Sequence, residues 1–188
     1  MIRQLAIVVT VTVAIAALSS CGSKESGGNQ TQNAAPQTSA TSTPGEVSAG
    51  IQFAALDLYG QPQSSAQWIG KQPTVLNFWG TWCPPCRREI PDLVRLYDEY
   101  HSRGIEIIGL AVKDEPRDVS SYASRAGMKW VMLMANDEVI QAYNVVNGIP
   151  TTIFIGPDGR EITRFIGNRA YEDFKPAFEA ILQGYRLP

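Results

Sequence analysis

Two cysteines three residues apart, Cys83 and Cys86, enclose Pro84 and Pro85 and follow directly on Trp82. Thiols at this spacing on the first turn of a helix share a face and can close a disulfide with little backbone movement. Cys83, nearer the helix N-terminus, meets unpaired backbone N–H groups and the positive end of the helix dipole. Both favour a thiolate and make it the attacking sulfur. Cys86, one turn further in, is covered and resolves the mixed disulfide. Prolines suit a helix start, where a missing N–H costs least, although each removes a donor the thiolate could have used. The other use of such a pair is half of a zinc site, which needs four ligands. Only Cys21 and His101 remain as further Cys or His residues, so ligand count argues against a metal. Exchange between two thiols and a disulfide calls for no cofactor.

The elements that must hold this pair are legible on both sides of it. Val75 to Trp79 is an apolar, β-branched and aromatic run that stops at Gly80, which reads as a buried strand delivering the chain into the cysteine turn. From Pro84 to about Ser102 the apolar residues Ile90, Leu93, Val94, Leu96, Tyr97 and Tyr100 recur at helical period, and Gly104 ends the helix. Ile105 to Val112 is apolar almost throughout, as a strand buried on both faces and paired in parallel should be. Strand, helix and strand make a right-handed βαβ unit. Pro116 to Ala126 reads as a second helix, Trp130 to Met134 as a short strand, and Asp137 to Tyr143 as a short helix. Thr151 to Ile155 and Glu161 to Ile166 read as strands joined by a Gly156-Pro157-Asp158-Gly159 turn, and Tyr171 to Gln183 as the terminal helix. The fold class is α/β.

The segment Leu76 to Cys86 resembles the active-site segment of the TlpA and ResA group of thioredoxin-like proteins, which are membrane-anchored extracytoplasmic thiol-disulfide oxidoreductases. A second motif, Gly148-Ile149-Pro150-Thr151-Thr152, resembles the loop that carries a cis-proline opposite the redox pair in that fold. The likeness runs from about Ile51 to the end. It implies a thioredoxin fold, a central mixed sheet flanked by helices, with an added N-terminal β-hairpin at Ile51 to Leu58 and beyond. It further implies substrate binding by Trp82 and by Ile149 and Pro150, where an extended substrate pairs with the backbone.

Asn77 stands where thioredoxin has a buried Asp, so a proton acceptor for the resolving thiol must lie elsewhere. In ResA-like proteins an acidic residue follows the second strand; the matching positions here are Asp114 and its neighbour Glu115. By the same likeness the direction is reductive, on protein disulfides that include the Cys-x-x-Cys-His segment of apocytochrome c. Electrons would come from a membrane thiol reductase of the DsbD or CcdA kind. Three rivals stand beside this reading, one of them a copper-delivery protein of the Sco type, which would want Cys-x-x-x-Cys and a later His, where this chain has Cys-x-x-Cys and His101 as its one histidine. A thiol peroxidase of the peroxiredoxin type would place Thr or Ser where this chain has Gly80, and a non-catalytic binding lipoprotein would keep the disulfide as a structural staple.

The remaining sequence concerns location. Arg3 and the apolar stretch Leu5 to Leu18 read as a signal segment over residues 1–20, too short for a comfortable span. Leu18-Ser19-Ser20-Cys21 resembles the bacterial lipobox, which makes Cys21 a lipidated residue; an ordinary signal peptide or an uncleaved anchor are the alternatives. Gly22 rather than Asp after it favours the outer membrane in a two-membrane bacterium. Residues 21–50 are rich in Ser, Thr, Gly, Gln, Asn, Ala and Pro and read as a flexible tether, leaving 51–188 as the folded domain. A net charge of −2 gives no reason to expect nucleic acid as a partner.

Overall fold

The computed structural model describes residues 50–184. The signal segment, Cys21 and nearly all of the tether lie outside them. In chain order the elements are β1 (Ala54–Asp57), β2 (Pro62–Ser64), β3 (Thr74–Trp79), α1 (Pro84–Tyr100), β4 (Glu106–Val112), α2 (Pro116–Ala126), β5 (Val131–Ala135), α3 (Asp137–Ala142), β6 (Thr151–Ile155), β7 (Glu161–Ile166) and α4 (Tyr171–Gln183). Each major element matches its expected span to within a few residues. The helix after the cysteines ends earlier than expected, at Tyr100, and the chain then makes one 3-10 turn over His101–Arg103 before Gly104 takes a left-handed φ of 97°.

All seven strands form one sheet in the order β2-β1-β5-β4-β3-β6-β7. β3, β4 and β5 run parallel; β6 and β7 add antiparallel on one side, and the N-terminal hairpin extends the other through the antiparallel pairing of β1 with β5. The α1 and α2 crossovers align β3, β4 and β5 in parallel, the connection through α3 brings β6 back antiparallel to β3, and the short Gly156–Gly159 turn reverses the chain between β6 and β7.

β3 and β4 are central, and strand alternation sorts their residues between two cores. Val75, Trp79, Ile107 and Ala111 pack with α1, α2 and α4 on one face. Leu76, Phe78, Ile108, Leu110 and Val112 pack with α3 and Phe53 on the other. Asn77 shares the alternation of Val75 and Trp79, so a polar side chain lies in the middle of the first core, fully buried. Its neighbour across β4 is Gly109. A Cβ there would lie 2.5 Å from Met132 Sδ and 3.1 Å from Trp130 Nε1, so β4 has no room for a side chain beside Asn77.

Candidate active site

β3 ends at Trp79, a tight turn follows in which Cys83 N donates to Gly80 O at 3.1 Å, and α1 opens at Pro84. Cys83 is the N-cap of α1, with extended backbone angles, and its Sγ accepts from Cys86 N at 3.2 Å. The two cysteines are joined as a disulfide with their Cα atoms 5.3 Å apart. Cys86 is fully covered, whereas Cys83 retains 3 % exposure. The sulfur that reaches the surface is therefore the one at the helix N-terminus, where a thiolate is favoured.

The loop expected to face the pair does so. The Ile149–Pro150 bond is cis, and Ile149 O lies 3.8 Å from Cys83 Sγ. Trp82 is 55 % exposed, and its Nε1 donates to Val112 O at 3.1 Å. A Cβ at Gly80 would sit 2.8 Å from that nitrogen, so glycine is what lets the indole fold back against the turn. On the cis-proline side, Val146 on the 3-10 turn Val145–Asn147 is 69 % exposed. Cys83 thus emerges beside a backbone carbonyl and between two segments that present apolar side chains.

Neither carboxyl singled out from the sequence is hydrogen-bonded to a cysteine, and only Asp114 is engaged by its side chain. Asp114 accepts from Thr81 N at 2.6 Å through one oxygen, and from Thr81 Oγ1 at 2.9 Å and Glu115 N at 3.0 Å through the other. It clamps the end of β4 to the turn that carries Trp82 and Cys83. Glu115 is exposed at the N-cap of α2, and its side chain makes no capping bond. Asp114→Ala removes three acceptor contacts, two of them partly buried, so thermal or urea unfolding is expected to show a loss of about 1–3 kcal/mol.

The carboxyl that is buried belongs to Glu89, 1 % exposed and one helical turn beyond Cys86. Its Oε1 accepts from Asn77 Nδ2 at 2.9 Å and its Oε2 from Arg169 N at 3.4 Å. Burial pushes its pKa up to about 7, against the opposing pull of the Asn77 and Arg169 contacts. That is the range of a group which both takes and returns a proton near neutrality. Glu89 is hard to single out in the sequence because it follows Arg87 and Arg88 in a charged run that reads as a solvated face. The signal was its position: Cys86, Glu89, Leu93, Leu96 and Tyr100 share the buried stripe of α1.

Among the described residues no three His, Cys, Asp or Glu side chains converge as a metal site. What the arrangement can do is exchange a dithiol for a disulfide, with a nucleophile at a helix N-terminus, a covered partner, a backbone edge for substrate, and a buried acid.

Fold and site together define a thiol-disulfide oxidoreductase of the thioredoxin fold. The chain belongs to the AhpC/TSA family, whose model matches residues 48–162. It is 35 % identical over 130 residues to the thiol-disulfide oxidoreductase ResA of Geobacillus thermodenitrificans, covering 69 % of this chain and 74 % of that protein. The ResA of Halalkalibacterium halodurans is 33 % identical over 132 residues, covering 70 % of this chain and 74 % of its own length. Among solved structures, a thiol:disulfide interchange protein of the thioredoxin family from Chlorobium tepidum superposes with a TM-score of 0.64 at 34 % identity, over 71 % of this chain and 95 % of that one. A secreted Mycobacterium tuberculosis disulfide oxidoreductase, homologous to E. coli DsbE, gives 0.61 at 26 % identity, over 68 % and 95 % of the two chains.

Proposed function

We propose that this protein is a lipid-anchored reductase of protein disulfides, working outside the cytoplasm with Cys83 as nucleophile and Cys86 as resolving thiol. The observation that carries the reductive direction is the start of α1. Pro84 and Pro85 occupy its first two positions, so among the first-turn amides only Cys86 N reaches Cys83 Sγ. A strong oxidase owes its potential to a stabilised reduced form. Here two of the donors that would stabilise the Cys83 thiolate are missing, and an acid lies buried one turn below the pair. Both features favour the oxidised protein and make the dithiol a better electron donor.

In the working cycle the Cys83 thiolate attacks a substrate sulfur, and the substrate's other sulfur leaves as a thiolate. Cys86 then attacks Cys83 Sγ, its proton passes to Glu89, and the Cys83–Cys86 bond forms as the bond to substrate breaks. The substrate leaves with two more electrons and the protein keeps the disulfide. An extended substrate lies along Ile149 and Pro150 with Trp82 and Val146 on its flanks. Apocytochrome c before haem attachment is a substrate of this kind, and a membrane reductase of the DsbD or CcdA type is the matching electron source. Cys21 carries the lipid, and residues 22–50 are the tether from membrane to domain. No helix among the described residues is long and apolar enough to cross a membrane.

A peroxidase reading fits the site less well. The position three residues before Cys83 is Gly80, and the space its side chain would need is taken by Trp82, so a hydroxyl residue cannot stand there without displacing the indole. The midpoint potential of the Cys83–Cys86 pair, equilibrated against glutathione or dithiothreitol buffers, tests the direction. A value near roughly −250 mV or lower is expected; one near about −120 mV makes the protein a disulfide donor.

A further inference from the structure

Asn77 is an expensive residue to keep for stability alone. It lies in the central strand, fully buried, on the face where its neighbours along β3 are Val75 and Trp79. Its Oδ1 has no donor within reach, a deficit that costs about 1–3 kcal/mol in a protein interior. The residue beside it on β4 is Gly109, which has no side chain to supply one. An apolar residue would avoid that deficit, so the explanation for Asn77 lies in what its two N–H groups do.

Both are committed. Nδ2 donates to Glu89 Oε1 at 2.9 Å and to Thr152 Oγ1 at 3.0 Å. Thr152 is the register partner of Asn77 on β6, two residues after the cis-proline, and is itself 1 % exposed. Thr152 fixes the amide's orientation, and the amide presents a donor to the buried carboxyl. Glu89 meets few other polar groups. Arg169 N approaches from the segment before α4, and the Arg169 charge also favours the ionised carboxyl. Cys83 and Cys86 share its own helix. A carboxyl shut away from water with so few donors is governed by each one it has.

We propose that Asn77 is a positioning residue for the resolving step: anchored by Thr152, it holds the ionised form of Glu89 in place so that the carboxylate is available to take the proton of Cys86. This rests on the reading of Glu89 as the acceptor. The proton leaves Cys86 Sγ as that sulfur attacks Cys83 Sγ and arrives on a Glu89 oxygen; Asn77 exchanges no proton and acts only through its hydrogen bond. The same chain of contacts ties the substrate loop to the acid, because Thr152 follows directly on the Ile149–Pro150–Thr151 segment.

The test uses the full chain with 13C-labelled glutamate carboxyls, reduced, titrated by NMR between pH 5 and 9, with Glu89→Gln to assign the signal. Asn77→Leu keeps the shape and removes the donor, and is expected to raise the Glu89 midpoint by about one pH unit. The pH profile of mixed-disulfide decay should move with it. Asn77→Asp, which also places a second carboxyl against Glu89, should raise the midpoint further. Thr152→Val leaves Asn77 in place without its anchor and is expected to shift the midpoint the same way by less, which keeps the test decisive if Asn77→Leu does not fold. A Glu89 midpoint equal to wild type in folded Asn77 and Thr152 variants overturns the inference even if those variants are less stable. A decay profile that Glu89→Gln leaves unchanged instead overturns the acceptor reading on which it rests.

Discussion

Cys83→Ser is expected to reduce disulfide exchange by at least about 10³-fold while leaving the domain folded. The first part follows from exposure and position: Cys83 is the only sulfur of the pair that reaches the surface, and it sits at the helix N-terminus against Ile149 O. The second follows from loop length. A disulfide stabilises mainly by closing a loop in the unfolded chain, and a bridge between residues three apart closes almost none. Cys86→Ser should behave differently. Its Cys83 still attacks, but no second thiol displaces the substrate, so a covalent adduct with a protein or peptide disulfide accumulates and is read by mass spectrometry. Insulin reduction gives the turnover and urea unfolding the stability. If the disulfide were only a staple, Cys83→Ser would lower stability and the Cys86→Ser adduct would not form.

How the sequence exposes this site depends on the range of the interactions involved. The strand Thr74–Trp79 and the helix from Pro84 are written in local periodicity, and the redox pair in spacing, so both are legible without any long-range contact. Pro150 is legible because its neighbours on both sides match a known loop. The role of Asp114 is not. Its position after β4 can be counted, but the partner that uses it is Thr81, thirty-three residues away, and only the folded chain brings them together. Glu89 fails for another reason. A list of apolar residues defines a helix's buried face and by construction omits a buried acid, although the helical period places Glu89 on that face as firmly as Leu93. Asn77 is the converse case: an amide in place of an acid stands out in the sequence, but its meaning depends on the buried carboxyl of α1, which accepts the hydrogen bond that Asn77 donates. The hairpin is intermediate. Its turn is local, while its attachment to the sheet edge through β5 is settled by tertiary pairing.

Glu89→Gln should stabilise the protein above neutral pH and slow it at the same time. Burial lifts the Glu89 pKa from its ordinary 4.5 to about 7. Between those values the folded chain holds a proton that the unfolded chain has released, so the folded state binds more protons and stability falls as pH rises through the window. Below about pH 4.5 both states are protonated and above about 7 both are ionised, so the dependence levels off on either side. The full drop is on the order of 3 kcal/mol. Glutamine carries no charge at any pH, keeps an oxygen for Asn77 Nδ2, and should remove this slope; urea unfolding at pH 5 and pH 8 measures the difference. The gain has a chemical cost, since glutamine cannot take the Cys86 proton. Mixed-disulfide decay at pH 7, followed by stopped flow, is expected to slow by about 10²-fold or more, and to lose the rise with pH that ionisation of Glu89 gives the wild type. A variant that keeps the wild-type slope in stability would mean that Glu89 is not the group titrating in the fold. A variant that loses the slope but resolves at the wild-type rate would mean that the buried acid shapes stability alone, and that water reaches Cys86 to take its proton.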